Sequence, residues 1–362
     1  MMIRFLKNWT LPVAMCVGCA FYLLFAYVPW LEEAGTFFAP LMEASLPVFM
    51  FLVLVVTFCK VEFRQLRAVR WHAWVLILHL VLVALCLGII LLLKVEGNQL
   101  VLTESLLMCI IAPTAMASAV VTQKLGGSLE QTTTFIFLSN MVTALLVSLC
   151  FPLIEKQADL SFLAAFLHIL WQVVILLLAP MLLAYIVKHR FPRLHSRIIA
   201  VHDLSFYLWA CCLSVVTGIT VRNIVHAKAS VALLTMIALI ALVSCLLQFA
   251  LGRFVGHFFG RTQEAGQVLG QKNTSFAIWL AHTYLNPLAT VGPGCYILWQ
   301  NIVNSIEIWQ KRNDNLNANL RSSSAGLLLK GRKNLNANVN DNLNDNLNAN
   351  LNEDENEVNG GG

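Results

Sequence analysis

The sequence predicts an all-α membrane protein of ten transmembrane helices, and three observations indicate this. Hydrophobic residues make up 58% of the 362 residues and charged residues only 12%, a composition that soluble domains rarely have. Long apolar stretches recur from the start of the chain to about residue 310, enough for about ten spans of roughly 20 residues with short loops. Two of these stretches are interrupted by residues that break helices.

The predicted spans divide the chain into two halves and a tail. Their approximate bounds are 9–30, 36–59, 71–93, 102–123, 132–153, 161–187, 201–221, 229–258, 266–283 and 288–309. Residues 1–310 are therefore expected to form one membrane domain, with five spans in 9–153 and five in 161–309. Because five is odd, the two halves must insert with opposite orientations.

Basic residues are distributed unevenly between the two sets of loops. Fifteen fall on one side of the predicted membrane, and four, Lys94, Lys156, Arg222 and Lys228, fall on the other. The fifteen are Arg4, Lys7, Lys60, Arg64, Arg67, Arg70, Lys124, Lys188, Arg190, Arg193, Arg197, Arg253, Arg261, Lys311 and Arg312. Cytoplasmic loops carry such an excess, so both termini are predicted to be cytoplasmic in a cell membrane, the inner membrane if the cell is bacterial. The net charge of +5 then belongs to loops and does not indicate a nucleic-acid partner.

The last part of the chain differs in character from the rest. Residues 311–362 are rich in asparagine and repetitive, as in NLNANVNDNLNDNLNANLN, with little apolar surface to offset the entropy of ordering. We expect a disordered cytoplasmic tail.

Composition and motifs argue against catalysis and against bound metal. All ten cysteines fall in apolar runs, where small thiols at helix contacts are commoner than metal or redox sites. No HExxH, GxSxG or paired-aspartate pattern occurs. We therefore expect no enzyme activity, no metal and no cofactor.

The ninth span carries a lysine at its middle. Residues 266–283 read GQVLGQKNTSFAIWLAHT, so Lys272 stands between Gln271 and Asn273. A charge at bilayer depth costs about 2.5–3.5 kcal/mol on insertion scales, and is kept where it faces protein or a water-filled cavity. We interpret this stretch as a broken helix that forms half of a solute site.

The fourth span is interrupted at the matching position of the first half. It contains APTAMASA, in which Pro113 removes a backbone donor and is followed by Thr114 and Ser118. Proline alone is frequent in membrane helices. Paired interruptions in corresponding spans, however, are the sequence sign of a transporter site at the bilayer midplane.

Polar residues of neighbouring spans are further candidates for lining the site. Thr132 and Asn140 lie on the fifth span, where each either faces the site or bonds its own helix backbone. His79 lies in the middle of the third span, where a histidine either packs or takes part in the site. The sequence leaves both alternatives open.

The motifs resemble those of the bile acid:sodium symporter family. That family has PGGTASNVVTYLAKG in span 4, EVGMQNSGLA in span 9 and VWHNISGS near the end. This chain reads PTAMASAVVTQKLGG from Pro113, VLGQKNTSFA from Val268 and LWQNIVNS from Leu298. The resemblance implies two inverted five-helix repeats, with spans 4 and 9 crossing inside a core domain and spans 1, 2, 6 and 7 forming a panel. It also implies an organic anion as the substrate.

The chain departs from the family at the positions that bind sodium. Ser118, Thr132 and Asn273 keep polar groups that the family uses. Its other sodium-binding positions are occupied here by His79, Ala119, Ile136, Val268 and Lys272. A lysine about 4 Å from a sodium ion would repel it by roughly 4 kcal/mol at an effective dielectric constant near 20. The resemblance together with these departures predicts transport that is not coupled to sodium.

The working hypothesis is a secondary transporter that moves a small organic anion across the lipid bilayer. Lys272 either stays charged, replacing sodium or pairing with the anion, or releases a proton with His79 as its partner. Two other classes remain as alternatives: a cation/proton antiporter of related architecture, and a receptor or scaffold that works through its tail.

Overall fold

The computed structural model describes residues 10–28, 30–62, 66–154, 161–201, 204–226, 229–315 and 317, and these are almost entirely helical. The chain divides into two units, Met1–Asn304 and Ser305–Gly362. In the second unit, residues 305–315 are helical, so ordered structure extends slightly past the predicted start of the tail at 311. The rest of the asparagine-rich tail lies outside the described residues, apart from residue 317, and its disorder stays a prediction.

The first unit is a succession of helices joined by short connections. They are α1 Thr10–Tyr27, α2 Glu32–Cys59, α3 Arg70–Leu92, α4 Gly97–Ile111, α5 Ala117–Lys124, α6 Leu129–Ile154, α7 Phe162–Leu177, α8 Ala179–Arg190, α9 Pro192–Ala200, α10 Leu204–His226, α11 Val231–His257, α12 Thr262–Gly270 and α13 Thr274–Tyr284. A 3-10 turn at Pro287–Thr290 follows, and α14 covers residues 291–304.

Six helical segments of the described residues are long and apolar enough to cross a membrane. They are Glu33–Cys59, Arg70–Leu92, Leu129–Ile154, Phe162–Arg190, Tyr207–His226 and Val231–His257. Val13–Tyr27 and Gly97–Ile111 are shorter apolar helices. The all-helical, membrane-type fold is therefore confirmed, whereas ten spans in inverted repeats stay a prediction.

The structure refines the predicted spans at three places. The fourth span begins at Gly97 instead of 102, and the sixth is interrupted at Leu178, after which α8 begins at Ala179 with Pro180 in its first turn. Proline is well placed in the first turn of a helix, where its missing donor would be unpaired in any case. An additional helix, α9, occupies the loop that follows α8.

The two broken spans lie among longer helices. The half-helix α12 packs along α11 and also contacts α3, α5 and α6, while α4 packs against α3 and α11. The buried face of α3 recurs every three or four residues and includes His72, Val75 and His79. This packing brings side chains of α3, α6, α11 and α14 to the two breaks.

Candidate functional site

The two interrupted spans pair with each other through their backbones. Thr114 and Lys272 form an isolated antiparallel β-bridge, flanked by two hydrogen bonds. The backbone N–H of Ala115 donates to Gln271 O at 2.9 Å, and that of Asn273 donates to Pro113 O at 2.8 Å. We call residues 113–115 and 271–273 the joint. The second break covers residues 271–273, because one helix ends at Gly270 and the next begins at Thr274.

Gln300 on α14 holds the backbone of Lys272 from both sides. Its Oε1 accepts from the Lys272 N–H at 2.9 Å, and its Nε2 donates to the Lys272 carbonyl at 3.3 Å. Gln300 is itself buried. A primary amide has a donor and an acceptor side by side, so one side chain satisfies both backbone groups of a residue outside any helix.

Two side chains close the carboxyl end of α12, one from α14 and one from the joint itself. The hydroxyl of Tyr296 donates to Gly270 O at 2.7 Å, and that of Thr114 donates to Val268 O at 2.6 Å. A Cβ placed on Gly270 would lie 2.3 Å from the ring of Phe249, so only glycine permits this approach.

The carboxyl end of α4 is closed in the same manner. Gln248 on α11 donates to Cys109 O at 3.1 Å, and Thr143 on α6 donates to Ile111 O at 3.2 Å. Ser139, also on α6, accepts from the N–H of Thr114 at 2.9 Å. These carbonyls and this N–H, which the helix end leaves free, thus find buried partners, as is required where water is absent.

The side chain of Lys272 is enclosed at the joint. It is 1% exposed and among the largest fully buried side chains of the described residues. It lies within electrostatic range of His79 and Cys109. Among the residues that the structure describes, no carboxylate forms an ion pair with it.

Helix ends give the joint a polarised environment. The carboxyl ends of α4 and α12 and the amino ends of α5 and α13 all meet there. Carboxyl ends carry partial negative charge, which favours an ammonium, and amino ends carry partial positive charge, which favours an anion. The joint therefore suits a buried cation together with an anionic ligand.

Three more polar atoms near the joint are buried without a hydrogen-bond partner among the described residues. They are Ser118 Oγ, Gln271 Oε1 and His79 Nε2. Buried polar groups are normally paired, so three such atoms on elements that meet at the joint indicate groups available to a ligand.

The remaining predicted residues have different surroundings. Thr132 is buried and its hydroxyl donates to Ser128 O, four residues back on its own helix, at 2.8 Å. Asn140 is 3% exposed and follows Ser139, but its own side chain bonds no described residue. Asn273 is partly exposed, and its Oδ1 caps α13 by accepting from Phe276 N at 3.2 Å.

Three buried polar residues were not among those predicted from the sequence. Gln300 lies inside the quoted LWQNIVNS motif, so a polar residue within an apolar span was a visible signal. Tyr296 had no comparable signal. Glu104, a fully buried acidic residue on α4, was not considered from the sequence.

Comparison with protein families agrees with the motifs. Residues 47–227, which are 181 of 362, match the model of the sodium bile acid symporter family. The chain belongs to this family. With its apolar helices, it is a multi-pass transmembrane transporter. No curated protein matches the chain. The family match ends before Lys272 and Gln300, so the second half of the joint lies outside the matched residues.

Replacing Gln300 tests whether it holds the joint together. Gln300→Leu would leave the buried N–H and C=O of Lys272 without this partner, and each unsatisfied group costs about 1–3 kcal/mol. We expect the free energy of unfolding in detergent to fall by about 2–4 kcal/mol, measured by denaturant titration. Gln123→Leu, the same change at an exposed glutamine on α5, should have little effect. Equal stability of the two variants would contradict the role of Gln300.

Proposed function

We propose that this protein is a secondary transporter of a small organic anion, that it works by alternating access, and that it is not coupled to sodium. The single observation that carries the proposal is the buried Lys272 side chain at the joint, which has no carboxylate partner among the described residues. A buried charge needs a partner, and an anionic solute would supply one. Membership of the sodium bile acid symporter family supports a transporter.

The surroundings of the joint support recognition of an anion. The amino ends of α5 and α13 add partial positive charge to that of Lys272. Ser118 Oγ is a buried hydroxyl in the first turn of α5, and it has no hydrogen-bond partner in the described part of the chain. A carboxylate could accept from this hydroxyl and from the lysine ammonium.

Apolar side chains at family sodium positions support independence from sodium. Ala119, Ile136 and Val268 are buried and offer no side-chain oxygen. The carbonyl of Val268 already accepts from Thr114. Sodium prefers several oxygen ligands, and an ammonium at Lys272 would repel it.

Glu104 bears on the antiporter alternative. Such a mechanism requires a carboxylate at the crossing of the broken helices. Glu104 precedes Pro113 by nine residues, about 13 Å along a helix at 1.5 Å per residue. Its distance from the joint therefore favours anion transport.

A polar network supports the alternating-access part of the proposal. Arg222 on α10 forms an ion pair with Glu43 on α2, and Glu43 Oε2 is 3.8 Å from His282 Nε2 on α13. Asn223, next to Arg222, donates to Thr290 Oγ1 at 3.2 Å. By the family resemblance, α2 and α10 belong to the panel, whereas α13 and Thr290 belong to the core. The network lies on the side with few basic residues.

Contacts on the opposite, basic side are of another kind. There Lys188 pairs with Glu62 at 3.0 Å within the panel, and Trp71 donates to Gln131 Oε1 at 2.9 Å within the core. A panel-to-core contact on this side is the apolar stack of Phe58 on Phe137, with ring centroids 4.9 Å apart. Polar contacts thus link panel and core on the side away from the cytoplasm, which supports a state that is closed on that side.

The charge of Lys272 is the first property to test. Lys272→Gln should weaken binding of the transported anion at least about 30-fold, because losing one partner of a buried charge pair costs about 2–5 kcal/mol. Lys272→Arg should rescue little, since the planar guanidinium needs more room than the site offers. Thermal-shift screening of purified protein against bile salts, keto acids and other carboxylates first identifies a ligand, and titration then gives its affinity. Lys124→Gln, at an exposed lysine on α5, is the control; unchanged binding by Lys272→Gln across pH 6 to 8 would make Lys272 structural.

Dependence on sodium is tested by uptake into proteoliposomes. Initial rates should be the same in sodium, potassium and choline buffers, because no sodium site of the family type is complete. An imposed pH gradient in the same vesicles separates proton coupling from uncoupled transport. A steep, saturable requirement for sodium would refute this part of the proposal.

Opening of the polar network can be followed through a native cysteine. Cys212 on α10 is buried, and its thiol lies against Ser275 at the start of α13. Arg222→Gln removes an ion pair worth up to about 1 kcal/mol, so the population open to the outside should rise up to about 5-fold. In a variant whose only cysteine is Cys212, labelling by an impermeant maleimide should accelerate accordingly. Lys94→Gln, on the same side, should leave the rate unchanged, and an equal rate in both variants would count against this closed state.

A further inference from the structure

The short helix α9 lies at the surface of the first unit. None of its nine residues, Pro192–Ala200, is buried. One face holds it in place: His195 donates from Nε2 to Cys59 O at 2.8 Å, and Ile198 packs against the main apolar core. Arg193 and Arg197, four residues apart, project from the opposite face.

Three arginines near the junction of α8 and α9 have no side-chain partner in the part of the chain that the structure describes. Lys188, in the last turn of α8, is paired with Glu62. Arg190, Arg193 and Arg197 are exposed, and none forms a hydrogen bond or ion pair through its side chain with any residue that the structure describes. The patch therefore keeps three positive charges that no described residue neutralises.

Apolar side chains border the three arginines. Phe191 is 56% exposed, Leu194 48% and Ile199 42%. A short helix with a basic face and apolar flanks, joined directly to the end of a span, is the form that lies at the interface of a membrane. This side of the protein also carries the larger number of basic residues, as cytoplasmic faces do.

We propose that the junction of α8 and α9 binds the headgroup of an anionic phospholipid in the adjoining leaflet. The guanidinium groups of Arg190, Arg193 and Arg197 would donate to the phosphate oxygens, a geometry that suits planar forks. Phe191 and Leu194 would contact the acyl chains. The exposed apolar flanks favour a lipid over a soluble phosphate compound, which would leave them in water. The proposal does not depend on which solute is transported.

The test compares lipid binding by the intact protein and by a triple variant. Purified full-length protein in neutral detergent is titrated with phosphatidylglycerol or phosphatidylcholine, and bound lipid is counted by native mass spectrometry. The wild type should prefer phosphatidylglycerol. The triple variant Arg190→Gln/Arg193→Gln/Arg197→Gln should bind phosphatidylglycerol about 100-fold more weakly, since each basic residue near an anionic surface strengthens binding about 5-fold. Inorganic phosphate at matched concentration should not compete.

Two further arms keep the outcome decisive. Arg67→Gln/Arg70→Gln removes two exposed charges that are on the same side but belong to neither α8 nor α9, and it should retain nearly all of the affinity. Leu194→Asn, which keeps every charge, should lower the affinity for phosphatidylglycerol several-fold. No preference for phosphatidylglycerol in the wild type, equal losses in the two arginine variants, or full competition by inorganic phosphate would each overturn the lipid site. The comparison of phosphatidylglycerol with phosphatidylcholine on the wild-type protein tests the proposal even if the triple variant fails to fold.

Discussion

The structure depends on one requirement: backbone groups set free where two helices stop inside a membrane must be satisfied by the protein itself. At the joint, the β-bridge between Thr114 and Lys272 satisfies some of these backbone groups. The rest is supplied by side chains such as Gln300, Tyr296 and Gln248, which come from other helices. The joint is therefore fixed by its surroundings, and its position fixes how α4, α5, α12 and α13 pack.

The sequence predicts the breaks but not their supports. Pro113 and the charge of Lys272 are local signals that a uniform apolar helix could not accommodate. The partner of a freed carbonyl depends on which faces of distant helices pack together, so Tyr296 and Gln248 could not be assigned in advance. Thr132 illustrates the reverse case, because its hydroxyl had two equally reasonable partners and the structure shows the bond within its own helix. The interruption at Leu178 was not predicted, because Pro180 within an apolar run does not by itself show that the preceding helix has ended.

The backbone and the side chain of Lys272 have different roles in the proposed site. The peptide groups of Lys272 are held by Gln300, so the proposed ligand would be bound by its side chain. The proposed alternating access then does not require the joint to come apart. Motion is expected between helix groups linked by contacts that are partly exposed, such as Arg222 with Glu43, each of which is worth little by itself.

The pairing of the two breaks also affects how the chain is made. Lys272 follows Thr114 by 158 residues, so the ribosome needs about 8–30 s to supply the second strand of the bridge after the first has emerged. During that interval Pro113 O lacks the N–H of Asn273, and the N–H of Ala115 lacks Gln271 O. The first broken span must therefore wait in a place where water or the insertion machinery can solvate it. Biogenesis of this protein thus includes a step at which an early segment is held until a late one arrives.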